Sequence, residues 1–119
     1  MPMKQALLYT LLLLSSLMSD ELKKAEYYYL THGCQSCHGM YGEGVSAPRL
    51  QGIKEKILYE RLKNLQAGKI RTNMGNVMIS FAQSMDENMT RSMAKYLSTL
   101  KTPKDIEYYE MDPNEDGTS

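Results

Sequence analysis

Cys34-Gln35-Ser36-Cys37-His38-Gly39 is the stretch that decides how this chain reads. Two cysteines three apart suit a redox dithiol, half of a zinc site, or a haem-attachment string, and their neighbours choose among the three. A thioredoxin-like dithiol lies at a strand-to-helix junction in a βαβ pattern, yet no alternating or β-branched run precedes Cys34. Zinc takes about four ligands, and the chain offers no further cysteine and only one other histidine, His32. A histidine directly after the second cysteine is the haem-attachment form. The two-residue gap lets one helical turn present both sulfurs along one edge, and His38 is then aimed at the iron.

Outward from that string the chain reads as helices and loops, an all-α fold. Residues 20–33 begin with an acidic cap region and carry Leu22, Ala25 and Tyr29 at helical spacing, a helix that delivers Cys34. Residues 39–52 hold Gly39, Gly42, Gly44, Gly52 and Pro48, the composition of a tightly turning loop that wraps one haem face. Residues 54–67 put Ile57, Leu58, Leu62 and Leu65 on one side of a second helix, stopped by Gly68. Residues 69–84 show no sustained period and read mostly as loop. Ser84 or Asp86 then caps a last helix with Met85, Met89, Met93, Tyr96, Leu97 and Leu100, which Pro103 closes.

At 119 residues the chain has room for one domain with a modest core, which a haem would fill. Fourteen Lys and Arg balance fourteen Asp and Glu, so no global field draws the protein to nucleic acid or anionic lipid, and partner choice rests on local patches. Residues 1–19 have the form of a signal peptide: Lys4, then an apolar run over residues 5–17, shorter than the roughly 20 residues of a membrane span. Leu17-Met18-Ser19 marks cleavage poorly, so an uncleaved membrane tether is the alternative. Export to the periplasm agrees with covalent haem, whose attachment is expected outside the cytoplasm in bacteria. The expected domain covers residues 20–102, and residues 103–119 form an acidic tail expected to be mobile and solvated.

The imidazole of His38 must be neutral on its metal-binding nitrogen, and its other nitrogen needs an acceptor. The carbonyl of Pro48 is a candidate, with Pro48 as a simple loop stiffener the alternative. His32 lies too close in sequence to His38 to reach the opposite haem face, which leaves methionine as second ligand. Of ten methionines, Met1, Met3 and Met18 fall in the leader, Met85, Met89 and Met93 recur every fourth residue as packing, Met40 crowds His38, and Met111 is in the tail. Met74 and Met78 remain.

The string Cys34-Gln35-Ser36-Cys37-His38-Gly39, with Gly42, Gly44, Pro48-Arg49-Leu50 and Gly52, resembles the small bacterial class I c-type cytochromes. The likeness continues through Tyr59, Leu62, Ala67-Gly68-Lys69, Arg71, Gly75-Asn76-Val77-Met78 and Ala94-Lys95-Tyr96-Leu97, nearly the whole expected domain. It implies about three main helices around one covalent haem c, His38 and an axial methionine on the iron, and packing of Tyr29 against Tyr96. In that family the ligand methionine lies some seven residues before the residue opening the last helix; Met85 in that role selects Met78. Ile79 stands where members often carry proline after the ligand, which leaves open a labile or vacant sixth position. Arg49 and Arg71 are candidates for the haem propionates, as bidentate partners of carboxylates, or else ordinary surface arginines.

The resemblance implies an electron carrier, exchanging electrons with donor and acceptor redox proteins or acting as the cytochrome subunit of a larger respiratory or sulfur-oxidising complex. No catalytic acid, base or nucleophile constellation is present in the sequence. The alternative is a haem that binds or senses a small ligand.

Overall fold

The computed structural model describes residues 3–73 and 75–105. Among the described residues five helices follow one another: α1 (Met3–Thr31), α2 (Gln35–His38), α3 (Glu55–Gln66), α4 (Gly75–Gln83) and α5 (Glu87–Ser98). The described residues contain no strand, in keeping with the all-α expectation. Met74, and all of the acidic tail beyond Asp105, lie outside the described residues.

Glycine ends two of the helices in the same way. Gly33 (φ 74°) and Gly68 (φ 79°) sit just past α1 and α3, where the next amide reaches back five residues, Cys34 N to Tyr29 O (3.1 Å) and Lys69 N to Asn64 O (2.9 Å). These bonds satisfy carbonyls that a helix end would otherwise leave bare, and the left-handed backbone they need suits glycine. The expected stop at Gly68 is therefore present, and Gly33 sets Cys34 immediately beyond the end of α1. At the other polarity, Asp86 caps α5 by accepting from the Met89 amide at 2.7 Å.

The core lies where α1, α3, α4 and α5 meet: Ala25 and Tyr29, Leu58 and Leu62, Ala82, then Met85, Met93, Ala94, Leu97 and Leu100. Helix α5 packs on both α1 and α3, and α3 on α4. Tyr29 meets Tyr96 edge to face, ring centroids 5.7 Å apart and planes at 62°, the tyrosine contact expected between first and last helices. On the surface, Glu87 ties α5 to α3 through Lys63 Nζ (2.9 Å).

Two features depart from the sequence expectation. The segment expected to be loop before the last helix contains α4, over Gly75–Gln83. A nine-residue helix has little stability of its own, and neighbours from α3 supply it: Gln66 Nε2 donates to Ala82 O (3.0 Å), and Gln83 Nε2 donates to Gln66 O (3.2 Å). The first helix starts at Met3 rather than near residue 20. Its apolar side chains from Met3 to Met18 are all exposed, and its buried residues are only Ala25 and Tyr29, so residues 3–18 contribute nothing to the core. Among the described residues no helix is long and apolar enough to cross a membrane.

Candidate functional site

Helix α2 is a single turn. Cys37 N and His38 N both reach Cys34 O, at 3.3 and 3.0 Å, and Gly39 N reaches Gln35 O at 2.9 Å. Cys34 is half-buried and Cys37 exposed, both as free thiols. Burial is the main influence pushing the Cys34 thiol up, with a smaller push from Cys37, against a lowering hydrogen bond from its own backbone. A thiol held protonated is a poor redox nucleophile.

The glycine loop wraps tightly around this turn. The carbonyl of Cys37 accepts from the amides of Val45, Ser46 and Ala47 at 3.0, 3.1 and 3.0 Å, and that of His38 accepts from Gly44 N at 2.7 Å. Behind it, the buried Tyr29 hydroxyl donates to Gly39 O at 2.6 Å. Burial, above all, raises the Tyr29 phenol far above its ordinary range, so this donor keeps its proton. Gly44 has φ 90°, and a Cβ there would stand 3.1 Å from both Ala47 O and Arg49 N. Backbone atoms cannot swing aside as a side chain can. Gly44→Ala is therefore expected to destabilise the domain by about 1–3 kcal/mol, read as a lower urea midpoint with unchanged slope; an unchanged midpoint would mean that the loop relaxes freely.

His38 is 6 % exposed, and its Nδ1 lies 3.0 Å from Pro48 O. A carbonyl can only accept, so Nδ1 carries the hydrogen and Nε2 keeps its lone pair. Pro48 is thus the orienting acceptor. The ring borders a cavity of about 190 Å³. Its walls are mainly apolar: Leu58, Leu62 and Leu65 from α3, Met78 and Phe81 from α4, and Met93 and Leu97 from α5.

Of the residues singled out from sequence, Cys34, His38, Pro48, Arg71 and Met78 line this one cavity. Cys37 is on the same turn but is not among the lining residues, and Arg49 is exposed, with Nη2 donating to Gln51 Oε1 at 2.7 Å. His32 is not among the lining residues, but it stacks on Tyr28, which is, with ring centroids 3.6 Å apart.

No family model matches this chain, and no curated protein does. What the cavity holds must be argued from its own residues. Sequence reasoning passed over several of them. Met85 and Met93, assigned to packing, are buried in the core and also border the cavity, as do Arg61 and Lys69. Arg61 falls three residues after Leu58, on the stripe that faces inward, and that placement was the available signal.

Proposed function

We propose that the chain binds one c-type haem covalently through Cys34 and Cys37, with His38 and Met78 as axial ligands, and works as a periplasmic one-electron carrier. The observation that carries this reading is His38: a buried imidazole whose Nδ1 is committed to Pro48 O, leaving a basic Nε2 beside an apolar cavity that Cys34 and Met78 also line. An imidazole oriented by a backbone carbonyl is how a metal-binding histidine is held. A Cys34 thiol pushed up by burial is not the activated nucleophile that a dithiol centre would need at that position.

The haem would supply the one-electron chemistry, its iron alternating between ferrous and ferric. The chain would do the rest. Cys34 and Cys37, one turn apart, anchor one edge of the group. Pro48 O keeps His38 in the tautomer that binds metal. Met78 offers a thioether, the ligand that raises the potential of a histidine-bound haem. Leu58, Leu62, Leu65 and Phe81 exclude water, lowering the local dielectric around the iron. Donor and acceptor are then redox proteins, free or joined with this chain in a larger respiratory or sulfur-oxidising complex. That the core buries none of the apolar leader side chains supports a leader used for export.

The chain matured in a host that attaches haem is expected to carry one haem that survives acidic organic extraction, to titrate reversibly with one electron, and to ignore carbon monoxide when ferrous. A chain without covalent haem would refute the proposal. Ready carbon monoxide binding would instead favour the ligand-sensing haem.

A further inference from the structure

Gly39 follows His38 directly, is buried, and turns the chain at φ 92°. The space into which a side chain at this position would extend is filled by the carboxylate of Glu43: a Cβ there would fall on its carbon and both of its oxygens. Glu43 is thus folded back onto the turn that bears His38. Hydrogen bonds on either side keep it there. The carbonyl of Gly39 accepts from Gly42 N at 3.2 Å, that of His38 accepts from Gly44 N at 2.7 Å, and Glu43 Oε2 accepts from Tyr41 N at 2.8 Å. Glu43 is half-buried, and among the described residues the ion pairs lie elsewhere, with Lys63 and Arg91 both on Glu87. Its field also reaches inward: after burial, Cys34 and Tyr96, it adds to what pushes the Tyr29 phenol up, and the Tyr29 hydroxyl is bonded to Gly39 O. A negative charge partly withdrawn from water without a counter-ion costs stability. Glutamine would accept the same bond from Tyr41 N without that cost. The charge therefore asks for a use that the bond does not supply.

We propose that Glu43 sets the reduction potential: its negative charge, held against the turn that bears the histidine ligand, stabilises ferric iron and lowers the potential. This rests on the haem reading above. Oxidation adds one positive charge at the iron, so an anion fixed nearby favours the oxidised form, and partial burial limits the screening of that attraction by salt. Glu43 is not among the cavity-lining residues, so it acts through its field and through the turn it packs on, and not as a ligand. The chain then places the potential between a thioether that raises it and a carboxylate that lowers it.

The test is the reduction potential of the haem-loaded full chain near neutral pH, for Glu43→Gln, Glu43→Asp, Glu43→Lys and, as control, Glu60→Gln, an exposed carboxylate of α3. Glu43→Gln should shift the equilibrium towards ferrous iron by about threefold to tenfold, the upper figure being about 59 mV for one electron. Covalent haem and the sulfur-to-iron band should stay as they are in the unmodified chain. Glu43→Lys should shift the potential further in the same direction, whereas Glu43→Asp, which keeps the charge, and Glu60→Gln should stay close to the starting value. If haem is attached and Glu43→Gln leaves the potential unchanged, or Glu43→Asp shifts it as far as Glu43→Gln, the role assigned to Glu43 is overturned while the haem reading stands. If the unmodified chain acquires no covalent haem, both fall together.

Discussion

The double variant Cys34→Ala, Cys37→Ala is expected to emerge from a haem-attaching host without covalent haem and close to unfolded at room temperature. Loss of both sulfurs removes the anchor, and what remains is a chain whose middle is a cavity of about 190 Å³ lined by leucine, methionine and phenylalanine. At about 24 cal/mol per Å³ an unfilled apolar cavity of about 190 Å³ costs about 5 kcal/mol, an upper figure because its mouth admits water. A domain of this size is stable by only about 5–15 kcal/mol in total. The empty form therefore sits at the edge of its own stability. Circular dichroism against temperature, beside haem staining after denaturing electrophoresis, reads both effects. A double variant that melts like the loaded protein would mean that the core does not depend on an occupant. Single variants should retain haem through one bond, in lower yield.

How far the sequence spoke depended on the range of the interactions concerned. Helix ends were legible because they are local: Asp86 and Gly68 act on amides and carbonyls within five residues. The orienting role of Pro48 was legible for a related reason, since the loop between it and His38 is short and rich in glycine. Helix α4 was not legible. It opens on glycine, contains β-branched Val77 and Ile79, and owes its C-terminal bonds to Gln66, a residue sixteen positions away from Ala82. The continuity of residues 3–19 with the rest of α1 was not anticipated either, because the apolar run after Lys4 reads as a signal peptide and starts the first helix at Asp20. Hydroxyls of Ser15 and Ser16 are bonded back to Leu12 O, at 2.9 and 3.1 Å, which is how serine is accommodated inside a helix.

Met78→Ala is expected to abolish the long-wavelength sulfur-to-iron band of the ferric protein while leaving covalent haem in place. On the proposed reading the covalent bonds are those of Cys34 and Cys37 and do not need the sixth ligand, so a spectral change with undiminished haem content isolates the axial role. The potential should fall by a sizeable part of the roughly 0.8 V that axial ligands span, because a thioether favours ferrous iron and its replacement by water does not. Ferrous Met78→Ala should also bind carbon monoxide, as an open position permits. Met85→Ala and Met93→Ala are the demanding controls, since both side chains border the same cavity. Each is more deeply buried than Met78 and belongs to the core, so their loss should lower the melting temperature and spare the band. Met74→Ala completes the set as the other methionine of the same segment. A band that survives Met78→Ala and vanishes with one of these three would transfer the ligand to that residue. Because α4 is held to α3 by Gln66 and packs Gly75 against Ile70 of the segment between the two helices, its short length does not by itself weaken the proposed sulfur bond, even with Ile79 following Met78. A Gly75→Ala chain, whose new Cβ would meet Ile70 at 2.9 Å, would displace α4 and is the variant in which that bond should become exchangeable.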